Sequence, residues 1–79
     1  MRIISSDFCT DVNYDNVTLK ILYTTANSYI LYARDSAGFD YDLGFFKERK
    51  DAEHILADIH VAYMDDAKIY LIGDDKHHE

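Results

Sequence analysis

Few side chains in this sequence could do covalent or metal chemistry. Cys9 is the single thiol, and His54 lies three residues after Asp51 and four residues before Asp58. A thiol nucleophile needs a base within hydrogen-bond reach and an oxyanion donor, and no motif around Cys9 supplies them. A line of His and Asp on a helix could hold a metal, but such charges also serve local pairing. We therefore predict no catalytic residue, no metal site and no cofactor.

Cys9 and a second histidine, His60, are expected to have structural roles. Cys9 is predicted to behave as a small, partly buried apolar residue. His60 borders the apolar side of the predicted helix, next to Leu56, and is expected to be packed or half-exposed at the edge of the core. Neither residue is predicted to be functional.

Aspartate and tyrosine are the more informative surface residues. Asp40 and Asp42 lie two residues apart in an alternating segment, which puts both carboxylates on one face of a strand. Paired carboxylates do acid–base chemistry only in a cleft that separates their pKa values, so on an open sheet they are expected to face solvent or a partner. Exposed tyrosine beside carboxylates is typical of protein-binding surfaces. The predicted partner-binding residues are Asp35, Asp40, Asp42, Asp65, Asp66, Tyr29 and Tyr32.

The charge balance indicates the kind of partner. Fifteen Asp and Glu residues against eight Lys and Arg residues give a net charge of −7. The basic cluster of Lys47, Arg49 and Lys50 is interleaved with Glu48 and Asp51. Direct binding of DNA or RNA needs a basic stripe and is not predicted. An acidic surface can attract the basic grooves of proteins that hold nucleic acid, so the predicted partner is a protein with a basic surface.

Cysteine content and hydrophobicity indicate the compartment. One cysteine cannot form an internal disulfide, and no apolar run reaches the roughly 18 residues of a membrane span. The first residues lack the apolar stretch of a secretory signal. We expect residues 1–79 to form a single domain in a reducing cytoplasm, with no membrane association.

Periodicity predicts an antiparallel meander in the first half of the chain. Residues 17–23 and 39–44 alternate between apolar and polar side chains, and residues 29–34 are apolar on both faces. Turn-prone residues separate these segments, and Gly38 suits a positive φ in the second turn. Residues 11–16 are expected to form a polar turn.

A helical periodicity follows residue 46. Apolar residues recur at helical spacing over residues 48–64, with Glu48 as an imperfect N-cap. Residues 68–72 are the predicted final strand, and residues 74–79 are expected to be a frayed polar tail. The predicted fold is α+β: a mostly antiparallel sheet of four to five strands, with one helix packed on one face and followed by the last strand.

The strand at residues 29–34 carries apolar side chains on both faces. Tyr29 shares one face with Leu31, and Tyr32 shares the other with Ile30. One helix covers only one face of a sheet, so the second face must be covered by curling of the sheet, by a partner or by a second copy. The sequence leaves these explanations open, with a homodimer among them.

Short motifs along the chain carry a resemblance to a known group of proteins. They are Arg2-Ile3-Ile4-Ser5, Asp11-Val12-Asn13-Tyr14, Tyr41-Asp42-Leu43-Gly44, Ala52-Glu53-His54-Ile55-Leu56 and Lys68-Ile69-Tyr70. With these motifs the chain resembles small proteins of phages, prophages and conjugative elements of low-GC Gram-positive bacteria. In that group a threonine often caps the helix where this chain has Glu48. The resemblance implies a mobile element in a bacterial cytoplasm and brings no catalytic residues.

Together these observations predict a non-enzymatic, acidic protein-binding module from a phage or mobile element. Its sharpest form is an inhibitor that docks on the basic, nucleic-acid-binding surface of a host defence protein, as an anti-CRISPR protein does. One alternative is a protein that sequesters a small nucleotide signal, using Arg34, Lys47, Arg49 or Lys50 with a stacking tyrosine. The other alternative is a structural or assembly role in the phage particle.

Overall fold

A computed structural model of the chain describes residues 1–73. The elements in chain order are β1 (Arg2–Ile4), β2 (Asp11–Asn13), a 3₁₀ turn (Tyr14–Asn16), β3 (Val17–Tyr23), β4 (Tyr29–Asp35), β5 (Asp40–Phe46), α1 (Arg49–Met64) and β6 (Ile69–Leu71). The predicted α+β class is confirmed. The expected tail at residues 74–79 lies outside the described residues. Over the described part of the chain, no helix has the length and hydrophobicity to cross a membrane.

The predicted meander is confirmed as a three-stranded antiparallel sheet of β3, β4 and β5. β3 and β4 pair along their whole length, from Val17 with Asp35 at one end to Tyr23 with Tyr29 at the other. Gly38 takes a φ of 90° in the turn between β4 and β5. That left-handed conformation is one that glycine adopts without steric cost, which explains its place in this tight turn.

A β-bulge interrupts the alternation of β5. The register between β4 and β5 shifts between Leu31 and Tyr32, so that Leu43 and Gly44 are both buried on one side of the sheet. A Cβ on Gly44 would lie 3.1 Å from Ile72 Cγ2, closer than ordinary packing allows. Glycine at this position avoids crowding against Ile72, and the alternation of β5 resumes after the bulge in the opposite phase.

The helix packs on that same side of the sheet. α1 contacts β3, β4 and β5, and its buried residues are Ala52 and Ile59. Full burial of a side chain such as Leu31 or Ile59 contributes about 1.5–3 kcal/mol. The buried core consists of Ile3, Val12, Leu31, Ala33, Leu43, Phe46, Ala52, Ile59 and Ile72. We call the side of the β3–β4–β5 sheet that faces α1 the inner face, and the opposite side the outer face.

The sheet layout differs from the prediction. In place of one sheet of four to five strands, the described residues form six strands in two three-stranded sheets. In the second sheet, β1 lies between β2, to which it is antiparallel, and β6, to which it is parallel. Residues 11–13, expected in a turn, form β2 because Val12 pairs with Ile3 and packs in the core. One buried residue in a three-residue strand leaves no alternation to detect.

The ends of α1 follow ordinary capping rules. Glu48 occupies the N-cap position without a side-chain cap hydrogen bond, as its length predicts. At the other end, the N–H of Ala67 donates to the carbonyl of Ala62, and the N–H of Asp66 donates to the carbonyl of Tyr63. This Schellman arrangement needs a left-handed residue, and Asp66 supplies it with a φ of 61°.

Candidate functional site

The outer face brings together Tyr32, Asp40 and Asp42, three of the predicted site residues. Cross-strand pairing arranges its side chains in three rows. The rows are Leu22–Ile30–Phe45, Lys20–Tyr32–Asp42 and Thr18–Arg34–Asp40. The first row is apolar, the second is mixed, and the third is polar and charged.

The apolar row is open to solvent. Leu22 is 52% exposed and Phe45 is 47% exposed, and Ile30 between them is half-buried. Tyr32, also half-buried, continues this surface into the second row. Aliphatic and aromatic side chains that lie side by side on an accessible sheet face are typical of a binding surface.

The charged side chains of the outer face balance one another. Asp40 and Asp42 carry its negative charge, and Lys20 and Arg34 carry its positive charge. Arg34 Nε donates to one oxygen of Asp40 at 2.7 Å, and Arg34 Nη2 donates to the other at 3.1 Å. These hydrogen bonds hold the pKa of the Asp40 carboxyl below its usual value. The face is thus not the acidic surface that the net charge of the chain suggests.

The two predicted tyrosines lie on opposite faces. Tyr32 is central in the outer face, and Arg34 Cζ lies 5.9 Å from its ring centroid. Tyr29 pairs with Phe46 on the inner face and packs against the core. Its ring centroid lies 5.1 Å from that of Tyr23. Tyr32, and not Tyr29, is therefore available as an anchor on the outer face.

Asp35 organises the turn between β4 and β5. Its Oδ1 accepts hydrogen bonds from the N–H groups of Ala37 and Phe39, both at 3.0 Å, and its Oδ2 accepts one from the Tyr41 hydroxyl at 2.9 Å. The backbone hydrogen bond from Phe39 is the largest cause of a lowered pKa for Asp35. The same carboxylate raises the pKa of Tyr41 by accepting a hydrogen bond from its hydroxyl group. Both oxygens of the Asp35 carboxylate therefore already accept hydrogen bonds from groups within the β4–β5 hairpin.

Asp65 and Asp66 follow α1 and belong to the layer that covers the inner face. Both are exposed, and the last turn of α1 contains no basic residue. Carboxylates at the C-terminus of a helix add to the negative end of its dipole. Asp65 and Asp66 therefore lie apart from Asp40 and Asp42. No basic side chain in the last turn of α1 neutralises their negative charge.

A further group of contacts joins the 3₁₀ turn to α1. The rings of Tyr14 and Tyr63 stack with centroids 4.2 Å apart. The Tyr14 hydroxyl lies 2.7 Å from His60 Nδ1, and the Tyr63 hydroxyl donates to Asp15 at 2.7 Å. The hydrogen bond to Asp15 raises the pKa of Tyr63. These contacts join residues 46 and 48 positions apart, so no local sequence pattern signals them.

Two expectations about single side chains are wrong. Cys9 is exposed instead of partly buried, because it lies in the loop between β1 and β2, where its N–H donates to Asp7. Of the two alternatives expected for His60, packed or half-exposed at the edge of the core, the packed one is wrong, because the residue is exposed and its ring contacts Tyr14, which itself packs against the core. Among residues 1–73, no group of three or more His, Cys, Asp or Glu side chains is placed to hold a metal ion.

An open groove borders the charged row of the outer face and has a volume of about 810 Å³. The charged residues that line the groove are the basic Lys20 and Arg34 and the acidic Asp15 and Asp35. The remaining lining residues are Asn16, Val17, Thr18, Ser36 and Ala37. This mixed lining offers no concentrated positive charge for a phosphate.

The cations considered for a nucleotide site lie far apart. Arg34 pairs with Asp40 near the β4–β5 turn, whereas Phe46, next to Lys47, pairs with Tyr29 at the far end of β4. Five residues of extended strand separate Arg34 from Tyr29, a distance of about 17 Å. Arg34 and the basic cluster at the start of α1 therefore do not form one site.

The apolar row contains the site residues that sequence reasoning did not name. The alternation of β3 puts Leu22 on the same face as Lys20, and that of β4 puts Ile30 on the same face as Tyr32. The sequence therefore contained a signal for Leu22 and for Ile30. Phe45 had no such signal, because the bulge at residues 43–44 reverses the phase of β5 before it. An unbroken alternation puts Phe45 on the inner face.

Comparisons with known proteins give no match. No protein-family model, curated protein or solved structure is similar to this chain. The geometry of the outer face is therefore the basis on which a function can be argued.

Proposed function

We propose that this chain is a non-enzymatic protein-binding module whose binding surface is the outer face. The observation that carries the proposal is the accessible apolar row of Leu22, Ile30 and Phe45, with Tyr32 beside it. In an antiparallel sheet with one face on the core, the other face ordinarily alternates to polar side chains. A contiguous apolar row on that face favours burial against another protein.

The polar rows are suited to the border of such an interface. Protein interfaces combine an apolar centre with a charged rim, and Lys20, Arg34, Asp40 and Asp42 supply a rim on one side. Because these charges balance, binding through the outer face depends on apolar contact more than on long-range attraction. The salt-dependent part of the attraction must therefore come from charges away from the outer face.

We further propose that the partner is a host protein with a basic, nucleic-acid-binding surface, and that the chain derives from a phage or mobile element. The net charge of −7 and the resemblance to mobile-element proteins support this choice. Asp65 and Asp66 are the proposed source of salt-sensitive attraction, since the helix end carries no offsetting charge in its last turn. The chain would then inhibit by covering the surface that holds nucleic acid, as an anti-CRISPR protein does.

Affinity capture with matched variants tests this function. The tagged chain is used as bait in a lysate of a low-GC Gram-positive bacterium, beside the double variant Leu22→Ser/Phe45→Ser. The control is Val61→Ser/Met64→Ser, which removes two exposed apolar side chains of α1. We expect one host protein to be lost with the outer-face variant and retained with the control.

The same experiment separates the two parts of the proposal. Capture that withstands the outer-face variant would contradict binding through that face. Capture that depends on the outer face but recovers a protein without a basic surface would contradict the proposed partner class. Loss of capture in Asp65→Asn/Asp66→Asn, together with weaker capture at high salt, is expected for a basic partner.

A further inference from the structure

We infer that the outer face binds the outer face of a second copy of this chain, so that two three-stranded sheets pack face to face. This inference rests on the proposed function, because it uses the same binding surface. A second copy and the host protein then compete for the outer face, and the monomer is the form that binds the host protein. It is carried by the order of charges across the sheet. Lys20 lies on β3 at one edge, Asp42 lies on β5 at the other edge, and Tyr32 lies between them on β4.

This order is self-complementary about a two-fold axis that runs parallel to β4 between the two faces. Rotation about this axis places β3 of each copy over β5 of the other. Each row of side chains keeps its position along the strand direction, so each row faces the same row of the second copy. Lys20 then meets Asp42 of the second copy, and the symmetry repeats the pair. The arrangement is an isologous contact, in which each surface is its own complement.

The same axis matches the apolar row with itself. Leu22 of each copy packs on Phe45 of the other, which gives two such pairs. Ile30 lies at the axis and packs on Ile30 of the second copy. Burial of these side chains removes the exposed apolar surface of both copies at once. In the third row, Thr18 comes to face Asp40 of the second copy, which is a hydroxyl donor opposite a carboxylate. Arg34 comes to face Arg34 at the axis, with each guanidinium already paired to Asp40 of its own chain.

The alternative in-plane axis is excluded by charge. An axis perpendicular to the strands and centred on the middle row would place Lys20 on Lys20 and Asp42 on Asp42. Directly opposed like charges destabilise such contacts. The parallel axis opposes one like pair, Arg34 with Arg34, and each of these is already neutralised by Asp40 of its own chain. Of these two axes the charge order therefore favours the parallel one, which corresponds to the aligned packing that two sheets commonly adopt.

The size of the face sets the expected strength of the contact. Three strands and seven residues give a surface of about 14 Å by about 23 Å. Two such faces bury roughly 650 Å² in total, below the roughly 1,000 Å² of a stable specific interface, so we expect weak association with a Kd on the order of 100 µM. α1 lies on the inner face, so both helices and their acidic ends stay exposed in the dimer.

Sedimentation velocity on charge-reversal variants tests the inference. The Lys20→Glu variant replaces two attractive pairs with two repulsive pairs, and so does Asp42→Lys. We expect each variant to raise the Kd by about tenfold or more. A one-to-one mixture of the two variants should associate again, because each heterodimer contains two attractive pairs. The double variant Lys20→Glu/Asp42→Lys should associate within about threefold of the native chain.

The matched controls are Asp65→Lys and Lys68→Glu, which reverse charges away from the outer face. They are expected to leave the Kd unchanged within about twofold. A dimer that Lys20→Glu and Asp42→Lys both leave intact would overturn the face-to-face arrangement. A double variant that stays monomeric would overturn the parallel axis.

The result also separates this inference from the proposed function. A native chain that is monomeric up to millimolar concentration overturns the dimer. If such a monomer still captures a host protein through Leu22 and Phe45, the proposed function stands without the dimer. If capture is also insensitive to these two residues, both proposals fail.

Discussion

The two faces of the β3–β4–β5 sheet are built from the same kinds of side chain. Leu31 and Phe46 on the inner face are 0% and 2% exposed, whereas their chain neighbours Ile30 and Phe45 on the outer face are accessible to solvent. Among residues 1–73, α1 covers one apolar face, and the apolar row of the other face is accessible to solvent. Apolar composition therefore does not distinguish core from binding surface, and the distinction comes from which face another element covers.

The largest contrast is expected between the two adjacent phenylalanines. Phe46→Ala should lower the free energy of unfolding by about 3–4 kcal/mol, because it leaves a cavity in the core. Phe45→Ala should lower it by less than about 1 kcal/mol, because its side chain is largely in solvent. Chemical denaturation at low protein concentration measures both values without a contribution from association. Similar losses for the two variants would mean that the outer face is covered within the chain.

The bulge that separates these two residues offers the next test. Gly44→Ala should cost about 1–3 kcal/mol, because a Cβ there meets Ile72 at 3.1 Å and the Phe46 ring at 3.2 Å. Gly73→Ala is the matched control, since no atom lies within 4 Å of a Cβ at that position. Thermal unfolding of the pair checks this. Equal stability would mean that the inner face does not need the bulge.

A smaller effect is expected where the helix that covers the inner face ends. Asp66→Gly should stabilise the chain by about 0.5–1 kcal/mol, because its φ of 61° favours glycine. Asp65→Gly should instead destabilise it slightly, because Asp65 has an ordinary φ of −89°. Denaturant titrations compare the two neighbours. Destabilisation by both would show that Asp66 does more than end the helix.

The smallest effect concerns the charge balance of the outer face. Arg34 lowers the pKa of Asp40, whereas backbone hydrogen bonds lower that of Asp35, so Arg34→Gln should raise the first pKa and leave the second unchanged. With a folded-state pKa below the unfolded value, each carboxylate stabilises the fold above the unfolded pKa. That contribution disappears as the pH falls through the folded pKa. An NMR titration of the carboxyl groups follows both residues, and a parallel shift of Asp35 would contradict separate causes.

The regular parts of the fold were predictable because they extend over several residues. Alternation located β3, β4 and β5, and helical spacing located α1 within one residue at its start. The second sheet was not predictable, because β1, β2 and β6 have three residues each and meet through contacts distant in sequence. Ile3 pairs with Tyr70 across nearly the whole chain, and no local pattern encodes that pairing.

The candidate site was predictable to a similar degree. The shared face of Asp40 and Asp42 follows from alternation, and so does the position of Tyr32 opposite Tyr29. The bulge at Gly44 hid Phe45, and with it the apolar row. The balance of charge was hidden too, because the Arg34–Asp40 pair depends on strand register. Net charge alone overstated how acidic this face is.

The most direct test of the central claim is a dilution series of amide NMR spectra from about 500 to about 20 µM, a range that spans a Kd on the order of 100 µM. If the outer face binds a second copy, concentration-dependent shifts should be confined to β3, β4 and β5 and should be largest around Leu22, Tyr32 and Phe45. Residues of α1 should stay unchanged. Spectra that do not change on dilution, or shifts confined to the end of α1, would contradict the claim.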